Sequence, residues 1–172
     1  MFDPDELDAI TASYHEAGHV AMAMWLGGVV TSASIECDDE DDDGVTFAGR
    51  TVVQWRGLSI GERLRRSAMV ALAGPIAEQH WRGETPVLEA VQAWHHDWLE
   101  VEAALRREPD AAARDATLRG WLRDVSRAIT DQAAWAHLCC IADALEAHGT
   151  LDDSLLDQFV VDGVSLDDLL DG

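Results

Sequence analysis

The chain of 172 residues is long enough for one domain with a hydrophobic core of its own. Its 33 acidic residues against 12 basic ones give a formal net charge of -21, a field that repels nucleic-acid phosphates and anionic bilayers, so neither is an expected partner. All 12 basic residues are arginine, which excludes a G-x-x-x-x-G-K-[ST] phosphate-binding loop and leaves any use of ATP to a separate chain. The opening "MFDPDELDAI" is acidic where a secretory signal is basic, and it reads as a helix start, with Asp3 as cap, Pro4 in the first helical position and Glu6 reaching back. That helix is expected to run to Trp25 or Leu26 and to end at Gly27-Gly28. Two β-branched runs around an acidic turn then predict a β-hairpin, with strands over Val29 to Glu36 and Val45 to Val53.

Ser59-Ile60-Gly61-Glu62 is a second capping-box signature and predicts a helix that stops at Gly83, kinked or restarted at Pro75. Thr85-Pro86 predicts the start of another, with Leu88, Val91, Trp94, Trp98, Val101 and Leu105 recurring at helical spacing until Pro109. Asp110 to His148 is helical in pattern, as two helices bending near Gly120 or Ala133, and "GTLDDSLLDQFVVDG" reads as one short helix. The expected fold is α+β, predominantly α-helical, with one small β-hairpin or sheet: a single domain over residues 1–161 and a weakly ordered tail over 162–172. The odd cysteines Cys37, Cys139 and Cys140 lack C-x-x-C spacing, and no uncharged run reaches the roughly 18 residues of a membrane span, so a cytoplasmic protein without membrane insertion is expected. The seven tryptophans fall mostly on apolar helical stripes and are read as core; the run Asp39 to Gly44 has the look of a calcium loop, but Arg50 stands where the bidentate glutamate belongs, and it is read as a solvated turn.

The chemistry is concentrated in "HEAGH". On a helix His15 and His19 share a face, so their rings can address one point, as a tetrahedral zinc ion requires. Glu16 projects about 100° away on the helical wheel, beside the metal, where it can act as general base toward a water activated by the ion. A third protein ligand has to come from elsewhere, because Trp25 occupies the place of a metzincin histidine; the acidic turn and "AWHHDWLEVE" are the two sources.

"YHEAGHVAMAMWLGG", a hairpin, "ALAGPIAEQHWRG", "HHDWLEVEAAL" and "ADALEAHGTLDDSLL" together resemble, in order and separation, the peptidase domain of the FtsH-type AAA zinc metalloproteases. The resemblance spans about residues 10 to 160 and implies a zincin-like helical domain with one zinc ion per chain, bound by His15, His19 and Asp97, and Glu16 as catalytic base. His95, His96 and Glu100 are alternatives to Asp97. The family's ATPase and transmembrane segments have no counterpart here, so the resemblance implies a zinc metalloendopeptidase acting on flexible or unfolded polypeptides, with a homo-oligomer or a separate ATPase as possible partner. The rival reading is a catalytically weak zinc-binding domain that serves as an adaptor or peptide-binding module.

Overall fold

A computed structural model describes residues 4–36 and 49–160, with the side chains of residues 4–8 and of residue 90 left aside. Helix α1 (Pro4–Trp25) has the expected extent, although its Asp3 cap and the Glu6 side chain lie outside what is described. Ala17, Val20, Ala21, Met22 and Ala23 are fully buried. The helix ends on Gly27, whose φ of 76° only glycine adopts without strain, and Arg66 donates to the carbonyl of Leu26 to close the turn.

Strand β1 (Val29–Ser34) pairs antiparallel with β2 (Arg50–Gln54), from Val29 opposite Gln54 to Ser34 opposite Arg50, with an irregularity between Val30 and Ser32. The first strand starts at Val29 as expected but is shorter, and the second differs in its bounds. The first stops at Ser34 because Ile35 leaves the ladder to donate to Gly149, and of the second only Arg50 to Val53 coincides, residues 45–48 lying outside the described segments.

Helix α2 (Ile60–Trp81) starts as the capping signature requires: the Ser59 hydroxyl accepts from the Glu62 amide at 3.2 Å. It continues through Pro75 to Trp81 without restarting, and the twelve residues from Ala68 to Gln79 are all buried. Burial along α1, α4 and α5 holds the helix where proline removes one hydrogen bond. The single helix expected after Thr85-Pro86 is instead two, α3 (Leu88–Ala93) and α4 (His95–Leu105), separated at Trp94, whose ψ of 86° is not helical. Val87, not Thr85, precedes the first turn, anchored by its amide to Gln79 Oε1 at 2.9 Å.

Helices α5 (Ala111–Thr130) and α6 (Gln132–His148) meet at Asp131, whose carboxylate accepts from the amides of Ala133 and Ala134. The expected bend at Gly120 is absent, since that residue sits inside α5, and the break lies two residues before Ala133. The expected final helix is also divided: Thr150–Asp152 forms strand β3 on the free edge of β1, followed by the one-turn helix α7 (Asp153–Leu156) and a 3-10 turn at Asp157–Phe159. The sheet order is β2-β1-β3. The fold is thus a predominantly helical α+β arrangement with one small antiparallel sheet, and the buried side chains of α1, α2, α4, α5, α6 and the sheet form one continuous cluster. No tryptophan is exposed, in line with the core reading, and among the described residues no helix is long and apolar enough to cross a membrane. The tail at 162–172 falls outside the described residues.

Helices α1 and α2 approach each other closely. A Cβ on Gly18 would stand 2.5 Å from the carbonyl oxygen of Ala73 and 2.8 Å from the Cβ of Ala77, so the helices meet backbone to backbone. Gly18→Ala is expected to lower the free energy of unfolding by about 1–3 kcal/mol through overpacking. Gly120→Ala, with nothing within 4 Å of the added methyl group, is expected to raise it by up to about 1 kcal/mol through helix propensity. Urea unfolding of both variants measures the pair.

Candidate metal centre

The packing of α2 on α1 determines what surrounds the two histidines. Val70, Gly74 and Glu78 recur every four residues and so lie on one face of α2, the face turned to His15 and His19. A Cβ on Gly74 would fall 2.4 Å from His19 Cε1, 2.5 Å from His19 Nε2 and 2.8 Å from His15 Nε2. Only glycine leaves room there for both rings. His15 is 4% and His19 7% exposed, and the rings stand nearly perpendicular with centroids 4.7 Å apart.

Each ring is oriented by a partner on its far nitrogen. His19 Nδ1 lies 2.8 Å from the carbonyl oxygen of Val70, which can only accept, so Nδ1 donates there and Nε2 is the nitrogen turned inward. His15 Nδ1 lies 3.2 Å from Glu78 Oε2, and the other oxygen of Glu78 is 2.9 Å from Arg82 one turn later. A carboxylate on the outer nitrogen of a histidine fixes its tautomer and strengthens it as a donor. The indole of Trp94 lies against His15, with centroids 4.0 Å apart.

The third group arrives from α4. The break at Trp94 places Asp97 in the first turn of that helix, where the positive end of the macrodipole favours an ionised carboxylate. Asp97 Oδ2 is 3.2 Å from His15 Nε2 and Oδ1 is 3.4 Å from His19 Nε2. One donor atom from each of His15, His19 and Asp97 lies within 4.8 Å of the others, a set that can hold a metal ion. His95, His96 and Glu100 do not enter it: all three are exposed, and the rings of His95 and His96 meet edge to face with centroids 5.9 Å apart.

Electrostatics follow this geometry. Burial alone would depress the pKa of His15, but hydrogen bonds to Asp97 and Glu78 and the charge of Glu16 outweigh it and hold the ring at about 9. Burial would likewise raise Asp97, yet the neighbouring charge of His19 and the hydrogen bond from His15 keep its carboxyl below the usual range. His15 therefore carries a proton between two carboxylates, in the position where a cation would serve the same purpose.

Glu16 stands outside the donor set. It is 4% exposed, its Oε2 accepts a hydrogen bond from the Thr51 hydroxyl at 2.7 Å, and the backbone at Gly49 lies against its carboxylate. Of the residues gathered here, His15, Glu16, His19 and Asp97 were expected from the sequence, and Val70, Gly74, Glu78, Thr51 and Trp94 were not. The four-residue spacing of Gly74 and Glu78 in "AGPIAE" is the one sequence signal that could have disclosed any of them.

No protein-family model matches the chain, and no curated protein matches it.

Two outcomes follow from the protonated His15. Because its pKa of about 9 exceeds the ordinary 6.5, the metal-free protein holds extra stability below pH 6.5 and loses it as pH rises toward 9. A metal ion must displace the same proton, so zinc binding at pH 7 is expected to release about one proton and to tighten about tenfold per pH unit up to pH 9. Calorimetric titration in buffers of different ionisation enthalpy measures both. Glu78→Gln is expected to weaken zinc binding by about tenfold to a hundredfold, as loss of an outer-shell carboxylate typically does.

Proposed function

We propose that the protein is a zinc-dependent metallopeptidase that hydrolyses peptide bonds in flexible or unfolded polypeptides, with an FtsH-type peptidase-like domain. The observation that carries this reading is the convergence of His15, His19 and Asp97 within 4.8 Å, with Glu16 adjacent on the same helix and outside the donor set. Two imidazole nitrogens and one carboxylate match the donor chemistry of catalytic zinc, in which three protein ligands leave one position open. The inward-facing Nε2 of His19 and the carboxylate held behind His15 support the same assignment.

Zinc held by these residues would polarise a scissile carbonyl and lower the pKa of a water molecule toward neutrality. Glu16 then takes a proton from the attacking water and later delivers it to the departing amine. A C–O bond forms, the C–N bond breaks, and Glu16 ends the cycle ionised as it began. The Trp94 ring lies against His15, a buried ligand, on its side of the centre.

Elemental analysis of protein purified without chelator is expected to give about one zinc per chain. Cleavage of casein is expected to be indifferent to ATP, abolished by chelation and restored by zinc. Glu16→Gln should retain zinc and lose turnover by roughly a thousandfold or more, because the proton then has no acceptor. Equal rates for Glu16→Gln and wild type at matched zinc occupancy would overturn the mechanism. Equal inactivity with retained peptide binding would make the protein a binding module.

A further inference from the structure

Glu16 is buried, and a buried carboxylate that must accept and return a proton needs a defined orientation. Strand β2 provides it. Thr51 is paired opposite Ala33 of the central strand, and as a β-branched residue it has few rotamers available. Its hydroxyl is 2.7 Å from Glu16 Oε2, within the range of charge-assisted O–H···O⁻ bonds, and the ionised carboxylate can only accept, so the hydroxyl hydrogen points at Glu16. At the other carboxylate oxygen, a Cβ on Gly49 would stand 2.5 Å from Glu16 Oε1, 2.6 Å from Cγ and 2.7 Å from Cδ. The carboxylate is thus held between the start of β2 and α1, not by its own helix alone.

Resting on the peptidase reading above, we infer that Thr51 is a positioning residue for Glu16: its hydroxyl, fixed by the sheet, sets the orientation in which the carboxylate meets the attacking water. The role belongs to the hydroxyl and not to the bulk of the side chain, which separates it from a packing contribution. It also assigns a task in the reaction to β2 that is independent of any contact between that strand and substrate. The hydrogen bond of Thr51 goes to Glu16, which stands outside the donor set of His15, His19 and Asp97.

Thr51→Val keeps the shape and removes the hydroxyl; Thr51→Ser keeps the hydroxyl. In casein or peptide cleavage, Thr51→Val is expected to lower kcat by about tenfold to a hundredfold, with KM, zinc content and melting temperature near those of wild type, and Thr51→Ser is expected to recover most of the rate. A second readout needs neither metal nor turnover. In zinc-free protein with ¹³C-labelled glutamate side chains, the Glu16 carboxyl resonance, identified by its loss in Glu16→Gln, is expected to move in Thr51→Val and to return in Thr51→Ser. An unmoved resonance, an unchanged kcat, or a fall in kcat matched by loss of zinc or of folded protein would each overturn the assignment. If wild type is no faster than Glu16→Gln the peptidase reading itself fails and the role of Thr51 falls with it, whereas a Thr51→Val rate equal to an active wild type overturns this inference alone.

Discussion

The backbone contact between α1 and α2 is the constraint on which the rest of the molecule depends. Gly18 lets α1 rest on the carbonyl of Ala73, and Gly74 admits the two histidine rings that this closeness would otherwise exclude. The two glycines work in opposite senses: one removes a side chain so that helices can touch, the other removes one so that side chains can fit between them. With the helices so close, a carbonyl at Val70 and a carboxylate at Glu78 come within hydrogen-bonding distance of rings they would not otherwise reach. Each glycine weakens its helix by roughly 1 kcal/mol relative to alanine, and burial along α1 and α2 offsets that cost.

A concentration of buried ionisable groups surrounds this contact. His15, Glu16, His19 and Glu78 are each less than 9% exposed, an arrangement that is costly unless charges and hydrogen bonds balance. They balance here in sequence: Arg82 faces Glu78, Glu78 faces His15, His15 faces Asp97, and Asp97 also faces His19. Arg82 reaches the solvent, so the chain of partners runs from the surface to the buried histidines through α2. The field of the whole chain reinforces it. A formal charge of -21 lowers the cost of holding one more positive charge at the centre, whether as a proton or as a metal ion.

Features encoded by local chemistry were the ones legible in the sequence. The extent of α1 follows from Pro4 and Gly27, and the start of α2 from Ser59 and Glu62, because capping depends on residues at most a few positions apart. The break at Trp94 escaped the pattern because the apolar repeat continues through it from Val91 to Trp98. Of the two places expected for the bend, the one near Ala133 is where the chain turns, because Asp131 accepts from the amides of Ala133 and Ala134 and starts α6, whereas Gly120 lies within α5. Strand β3 is three residues long, too short for alternation to be visible. At the centre, His15, Glu16 and His19 could be read from spacing alone. Asp97 is 82 residues from His15 and entered through resemblance, with His95, His96 and Glu100 beside it; it is the fold that separates them, by turning Asp97 inward and leaving the others exposed. Thr51 and Glu78 act through contacts between elements that no single-helix pattern contains.

The position of β3 has a bearing on how the chain reaches this state. Its partner β1 is the middle strand, so residues 32–34 find their second neighbour only in residues 150–152, after four of the longer helices have intervened. Such a pairing closes a very long loop and adds strongly to the contact order, which places completion of the sheet late in folding. On a chain still being synthesised, β1 would have β2 on one side and open hydrogen-bonding groups on the other. An open middle strand is a template for pairing with another molecule, and the three short residues of β3 are what close it.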